Sequence, residues 1–296
     1  MPLLHVLLAL LVIAFWGVNF VVIQVGLQEV PPILLTFLRF FFASFPAIFF
    51  VKRPNVSWKM LFLYGLFMFT LDFVFLFTGM YVGVSSGIAS LTLQTQVFFT
   101  ALLAVYFLKE RITRWQIFGA ILAFSGIGLV GVNTGGDVNI YGLTLVELAA
   151  LSWAAGNLVS KRIGKVEMLP LVIWGSFVAW PPLLLLSLLL EGHLWSVQTL
   201  YTLSWQTIGV VAYLVYPVTL FGFAAWSWLL SRHPSSSVAP FTLLVPIFGF
   251  SSSALILKES VPMWKIGAAT LIVSGLIVGL YGKMLLEKIT KAQREV

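Results

Sequence analysis

Three ionisable side chains lie inside otherwise apolar runs of the sequence. Arg39 occurs in "LLTFLRFFFASF", Asp72 in "TLDFVFLF" and Glu147 in "LTLVELAAL". An arginine at the centre of a bilayer costs roughly 2.5–3.5 kcal/mol on insertion scales, so it needs a partner, a water-filled cavity or a route to the surface. Intramembrane charges of this kind mark substrate pathways and proton relays. The chemistry to expect is therefore binding or proton transfer within a membrane.

Uncharged polar and aromatic residues add further candidates. Asn19 and Asn157 each offer a donor and an acceptor, which suits a zwitterionic amino acid. They suit helix-to-helix hydrogen bonds equally well, which average about 0.6 kcal/mol. Gln94 is preferred over Gln96 as a cavity residue, because residues two apart on a helix point about 200° apart. Trp226 can wall a cavity or belong to an interfacial aromatic belt.

The composition requires membrane helices to position these residues. The chain has 296 residues, 60% hydrophobic and 9% charged, whereas a soluble protein carries about 25% charged residues. Cysteine is absent, which excludes disulfides and cysteine-ligated metals. We predict an all-α polytopic membrane protein with no cofactor, no metal site and no nucleic-acid partner.

Apolar runs of about 20 residues, separated by proline, glycine and charge clusters, predict ten spans. They cover residues 3–25, 32–51, 59–80, 84–107, 113–132, 141–160, 169–190, 206–230, 236–257 and 262–283. With ten crossings, 14 of the 17 lysines and arginines fall on the side that holds both termini. Only Lys258 and Lys265 fall on the other side, and Arg39 lies within a span. The positive-inside rule then predicts cytoplasmic termini.

Two distant segments of the chain resemble each other. "LKERITRWQIFGAILAFSG", residues 108–126, matches "LKESVPMWKIGAATLIVSG", residues 257–275, at one constant offset. The sequence therefore predicts two repeats, residues 1–136 and 137–296, with five spans each. An odd number of spans inverts one repeat relative to the other, and inverted repeats are typical of secondary transporters.

The sequence resembles the EamA family of drug/metabolite transporters over essentially its whole length. The resemblance is carried by "WGVNFVV", "GIASLTLQTQVFFTALLAVYFLKERI" and "VAPFTLLVPIFGFSSSALILKE", and it is closest to the O-acetylserine/cysteine exporter branch. It implies two five-helix EamA repeats and export of amino acids and related metabolites across the inner membrane. Asp72 departs from that branch, which has an uncharged polar residue there.

The depth of each charge favours specific roles. At 1.5 Å per residue, Arg39 and Asp72 both lie about 10–12 Å from the extracytoplasmic face on consecutive spans. They either form an intramembrane pair, or Arg39 extends outward and Asp72 faces a water-filled vestibule alone. Asp72 and Glu147 are also the candidates for proton coupling, although Glu147 could simply lie at the wet end of its span.

We therefore predict a non-enzymatic inner-membrane transporter that exports small amino acids or related metabolites, of the cysteine and O-acetylserine type, by alternating access. Asn19, Arg39, Asp72, Gln94, Asn157 and Trp226 are the predicted substrate-binding residues. Its partners are a small-molecule substrate and the lipid bilayer, and a monomer is preferred. The alternatives are broader efflux of drugs or quaternary ammonium compounds, or a membrane-embedded enzyme or channel.

Overall fold

A computed structural model describes residues 1–133, 138–192, 195 and 204–294. Ten of its helices are long and apolar enough to cross a membrane. They are α1 Leu3–Gly26, α2 Pro32–Phe49, α3 Trp58–Tyr81, α4 Ser86–Leu108, α5 Arg114–Val132, α6 Ile140–Ile163, α7 Met168–Leu190, α8 Trp205–Arg232, α9 Ala239–Ile256 and α10 Met263–Gly282. The predicted all-α class and ten spans are confirmed. The predicted repeat boundary, between residues 136 and 137, lies outside the described residues.

Four helices change their winding within the membrane. A π-helical segment occupies Leu66–Leu71 of α3, and another occupies Leu214–Phe221 of α8 around Pro217. Short 3₁₀ segments lie at Leu93–Thr95 of α4 and Ala239–Leu244 of α9. Helices α3 and α8 are repeat counterparts, as are α4 and α9. Such irregular segments are frequently found at functional sites.

The helix contacts repeat between the two halves of the chain. Helix α1 packs against α9, and its counterpart α6 packs against α4. Helix α3 packs against α6, and its counterpart α8 packs against α1. The pairs α2–α7 and α5–α10 each join a helix to its own counterpart. The two halves thus share one architecture.

A turn found in both halves supports the same duplication. Lys109 and Lys258 follow α4 and α9, and both have left-handed backbone conformations, with φ of 57° and 54°. This conformation is uncommon for residues other than glycine. The next residue in each case, Glu110 or Glu259, donates its backbone N–H to the helix it leaves. The "LKE" motif therefore encodes the same helix-ending turn twice.

Small residues allow the helix backbones to approach closely. A Cβ added at Gly119 of α5 would lie 2.4 Å from the Gly275 carbonyl oxygen of α10. A Cβ added at Gly142 of α6 would lie 2.6 Å from the Gly79 carbonyl oxygen of α3. Lipid gives helices no hydrophobic reason to associate, so close packing of this kind stabilises membrane bundles.

A buried carboxylate secures the start of α2. Glu191, which follows α7, accepts hydrogen bonds from the backbone N–H groups of Ile33 and Leu34, at 2.8 and 2.9 Å. Ser187 of α7 donates to the same carboxylate at 2.8 Å. The first N–H groups of a helix have no partner within the helix, and Glu191 supplies one. This side of the membrane is opposite the loops with Lys52, Lys109 and Lys161, which define what we call the basic face.

We expect Gly119→Ala to destabilise the protein by about 1–3 kcal/mol, because the added methyl group would overlap the backbone of α10. The matched control is Gly128→Ala on the same helix, where a Cβ would meet no atom within 4 Å. Thermal unfolding of purified protein in detergent should show a lower midpoint for Gly119→Ala alone. Equal midpoints would contradict the close α5–α10 contact.

Candidate functional site

Arg39 lies in the interior of the helix bundle, with 2% of its surface exposed. Its Nε donates a hydrogen bond to Thr219 Oγ1 of α8, at 3.2 Å. The guanidinium carbon lies 4.2 Å from the ring centroid of Phe73 on α3, and a cation over an aromatic face is stabilised electrostatically. Its Nη1 is buried without a hydrogen-bond partner among the described residues. The guanidinium thus joins α2, α3 and α8 and keeps an unused donor.

Asp72 lies next to this group at the end of the π-helical segment of α3. The side chain is fully buried, and neither carboxylate oxygen has a hydrogen-bond partner in the part of the chain that the structure describes. Its charge is close enough to interact with that of Arg39. The hydrogen bond from Arg39 goes to Thr219 instead, so the predicted pair with Asp72 is present as a charge interaction and not as a hydrogen bond. The predicted alternative, an Arg39 that extends to the surface, is wrong because Arg39 is buried.

Glu147 contacts the other repeat half-way along α4. Thr95, in the 3₁₀ segment of α4, donates its hydroxyl to Glu147 Oε2 at 2.9 Å. Glu147 Oε1 is buried and has no hydrogen-bond partner among the described residues. Glu147 is half-buried as a whole. The carboxyl group is thus held at one oxygen, while the other remains available to a proton or a ligand.

The predicted amide residues lie in different surroundings. Asn157 Nδ2 donates to Thr100 Oγ1 of α4 at 3.3 Å, so this amide joins two helices. Asn19 is buried, and its Oδ1 has no hydrogen-bond partner among the described residues. Gln94 is also buried, and its Nε2 lies 3.5 Å from the Ser90 carbonyl oxygen of its own helix.

Trp226 packs against an aromatic residue of the first span. Its ring centroid lies 5.4 Å from that of Trp16 on α1, and Trp16 donates its indole N–H to the Val218 carbonyl of α8 at 3.1 Å. A Cβ added at Gly222 would lie 2.6 Å from this indole nitrogen, so glycine makes room for the ring. Trp226 therefore packs in the contact between α1 and α8, which favours a role in the bundle over a place in an interfacial aromatic belt.

Five of the seven predicted residues form three groups rather than one. Arg39 and Asp72 lie among α2, α3 and α8, Glu147 and Asn157 join α6 to α4, and Trp226 joins α8 to α1. The hydroxyl partners Thr219, Thr95 and Thr100 were not predicted. A signal existed for Thr219, since it matches Thr70 in the repeat and both lie in π-helical segments.

Comparison with known proteins identifies the family. A model described as "EamA-like transporter family" matches residues 3–132 and 140–281, one match for each set of five spans. The chain belongs to the EamA-like transporter family. It is therefore a transporter and not an enzyme, and the resemblance predicted from sequence motifs is confirmed.

Two curated relatives extend this result. A protein of Salmonella typhimurium described as "Probable amino-acid metabolite efflux pump" is 41% identical over 93% of this chain and 94% of its own. One of Escherichia coli with the same description is 40% identical over the same shares. A solved crystal structure, 18% identical, covers 93% of this chain and 95% of its own with a TM-score of 0.63, which supports the fold. This EamA-like chain is a multi-pass inner-membrane efflux transporter.

We expect Thr219→Val to lower stability by about 1.5–3 kcal/mol, because a buried guanidinium would lose a hydrogen-bond partner. Thr70→Val is the matched control, since the Thr70 hydroxyl lies only at the 3.5 Å limit from the Ala179 carbonyl. Thermal unfolding in detergent should separate the two variants. Equal shifts of the unfolding midpoint in both variants would show that the Arg39–Thr219 hydrogen bond does not stabilise the protein more than the Thr70 contact does.

Proposed function

We propose that this EamA-like transporter exports small amino acids or related metabolites, of the cysteine and O-acetylserine type, from the cytoplasm by alternating access. The description of the two relatives supports the amino-acid class. Both termini are assigned to the cytoplasm on the basis of the positive-inside rule. The two repeats rock around a site near the middle of the membrane, as in other transporters built from inverted repeats.

One observation carries this proposal: a buried cation and a buried anion lie close together without a hydrogen bond between them. Arg39 Nη1 and both oxygens of Asp72 have no hydrogen-bond partner among the described residues. Leaving charged groups unpaired in a buried site is costly. A zwitterionic amino acid offers a carboxylate for Arg39 and an ammonium group for Asp72, which is the complementary arrangement.

The remaining predicted residues have supporting roles in this proposal. Asn19 and Gln94 supply neutral polar groups around the path, and Asn157 and Trp226 shape its walls from α6 and α8. Glu147 is the proposed proton carrier, with Asp72 as the second candidate. A protonatable carboxyl group beside a substrate path is the usual means of coupling export to a proton gradient. The protein works as a monomer, since both repeats lie in one chain.

We expect inside-out membrane vesicles to take up labelled cysteine and O-acetylserine saturably, and unlabelled substrate to compete. Asp72→Asn keeps the side-chain shape but removes the charge that receives the ammonium group. We expect at least a tenfold fall in uptake at low substrate concentration, which corresponds to about 1.4 kcal/mol of lost binding.

Glu167→Gln is the control, because it neutralises an exposed carboxylate outside the spans. Full uptake by Asp72→Asn would contradict the proposed role of Asp72. No uptake by the unmodified protein, with lipophilic cations transported instead, would favour the broader efflux function.

A further inference from the structure

In the part of the chain that the structure describes, the main contact between α4 and α9 lies at one end of the bundle. The first part of α4, Ser86–Thr92, packs against Val245–Ile256 of α9, on the side opposite the basic face. A Cβ added at Gly249 would lie 2.5 Å from Ser90 Cβ, which shows how tightly this end is closed. Towards the basic face, Gln96–Leu108 packs against α6, and Ala239–Leu244 packs against α1 and α10.

Hydrogen bonds to one carboxylate and one hydroxyl fasten the closed end. Glu259 Oε1 accepts from the backbone N–H of Ser86 at 3.1 Å and lies 2.9 Å from its hydroxyl. Ser253 Oγ accepts from the backbone N–H of Gly87 at 3.1 Å and lies 2.9 Å from Ser86 Oγ. We call these four residues the Glu259 latch. The carboxylate satisfies the Ser86 N–H and the Ser253 hydroxyl satisfies the Gly87 N–H, both at the start of a helix, where the helix dipole favours a negative charge.

The latch also forms part of a pocket open to the outside of the bundle. This pocket has a volume of about 310 Å³, and Gln24, Gln28, Ser85 and Glu259 contribute polar groups to it. It lies on the side opposite the basic face. Opening the latch would therefore join the interior of the bundle to this pocket.

The repeat supplies a counterpart for the latch at the basic face. Glu110 occupies the position of Glu259, directly after the matching left-handed lysine. Ser237, in the short helix Ser235–Val238 that precedes α9, is the sequence counterpart of Gly87. Glu110 is half-exposed here and forms an ion pair with Lys161. The two equivalent glutamates thus have different partners in this state.

We propose that Glu259 and Glu110 are alternating latches of the transport cycle. Glu259 holds α4 and α9 together on the side opposite the basic face in the state described here. When that side opens, Glu110 leaves Lys161 and binds the Ser235–Val238 segment that precedes α9, which closes the basic face. Each glutamate thereby stabilises one of the two orientations that alternating access requires.

The residues around the two latches differ, and the difference sets the resting state. A Cβ at Gly87 would lie 3.2 Å from Ser253 Oγ and 3.3 Å from Glu259 Oε2, so a larger residue would crowd the latch at this end. The counterpart positions hold Ser237 and, in place of Ser253, Ala104, which has no hydroxyl group. The Glu110 latch is therefore the weaker one, and the protein rests open towards the basic face. If export proceeds as proposed above, this is the face at which substrate enters.

Cysteine pairs test the exchange directly, since the natural chain contains no cysteine. Ser86→Cys with Ser253→Cys places two thiols across the Glu259 latch, and Ala104→Cys with Ser237→Cys places two across its counterpart while leaving Glu110 in place. We expect rapid disulfide formation in the first pair and slow formation in the second. Oxidising the first pair should abolish transport, and reduction should restore it.

Substitution of the latch itself tests the coupling between the two ends. In a single-latch variant, Glu259→Ala, we expect disulfide formation by the second pair to speed up at least threefold. Glu259→Gln retains an acceptor oxygen and should show a smaller change. Glu191→Ala is the matched control, because it removes a buried helix cap that does not join α4 to α9, and it should leave the second pair unaffected.

Several outcomes would overturn the proposal. One is that Glu259→Ala leaves the rate of disulfide formation by the second pair unchanged. Another is that Glu191→Ala speeds up that disulfide formation as much as Glu259→Ala does. Normal transport by the protein with the first disulfide formed would also overturn the proposal, and this test does not depend on whether Glu259→Ala folds. No transport of cysteine or O-acetylserine by the unmodified protein, with disulfide rates that still respond as expected, would refute the proposed substrates and leave the latches supported.

Discussion

Polar groups within the lipid must find their partners inside the protein, and this constraint shapes the whole bundle. Arg39 illustrates it most clearly, because its charge is surrounded by apolar residues in sequence and has to be matched from other helices. Thr219 and Phe73 provide part of that match from α8 and α3. Thr219 lies in the π-helical segment of α8, and its hydroxyl accepts the hydrogen bond from Arg39. The buried charge thereby ties three helices together and leaves ionic groups free for a ligand.

The two repeats provide a second organising feature. Their helices pair in the same pattern and change winding at matching places. The counterpart helices α4 and α9 are each followed by the same left-handed turn. The two halves differ in the charged residues that bear on the proposed function. Asp72 follows the π-helical segment of α3, whereas the π-helical segment of α8, Leu214–Phe221, and the residue after it, Gly222, carry no charge. Glu259 and Glu110 have equivalent positions but different partners, as expected when one sequence motif occupies two environments.

Sequence alone predicts the ten spans and the duplication, because span length, apolar composition and repeated motifs are local properties. Partner choice is not local. Arg39 binds Thr219, about 180 positions away, and the sequence pattern favoured Asp72 because consecutive helices and equal depth made that contact simplest. The 3₁₀ turn at Leu93–Thr95 changes which faces of α4 align, so helical periodicity did not reveal the Thr95–Glu147 bond. Glu191 directly follows the predicted span 169–190, and nothing in its sequence context indicates that it caps α2.

Alternating access requires that one site is exposed to each face of the membrane in turn, and a counterflow experiment measures this directly. Purified protein is reconstituted into liposomes loaded with unlabelled O-acetylserine, and a trace of labelled substrate is added outside. We expect the label to accumulate transiently above its equilibrium level, because unlabelled substrate inside competes with the label for the return step of the carrier. Simple equilibration without an overshoot, at a rate that does not saturate, would contradict alternating access and indicate a channel.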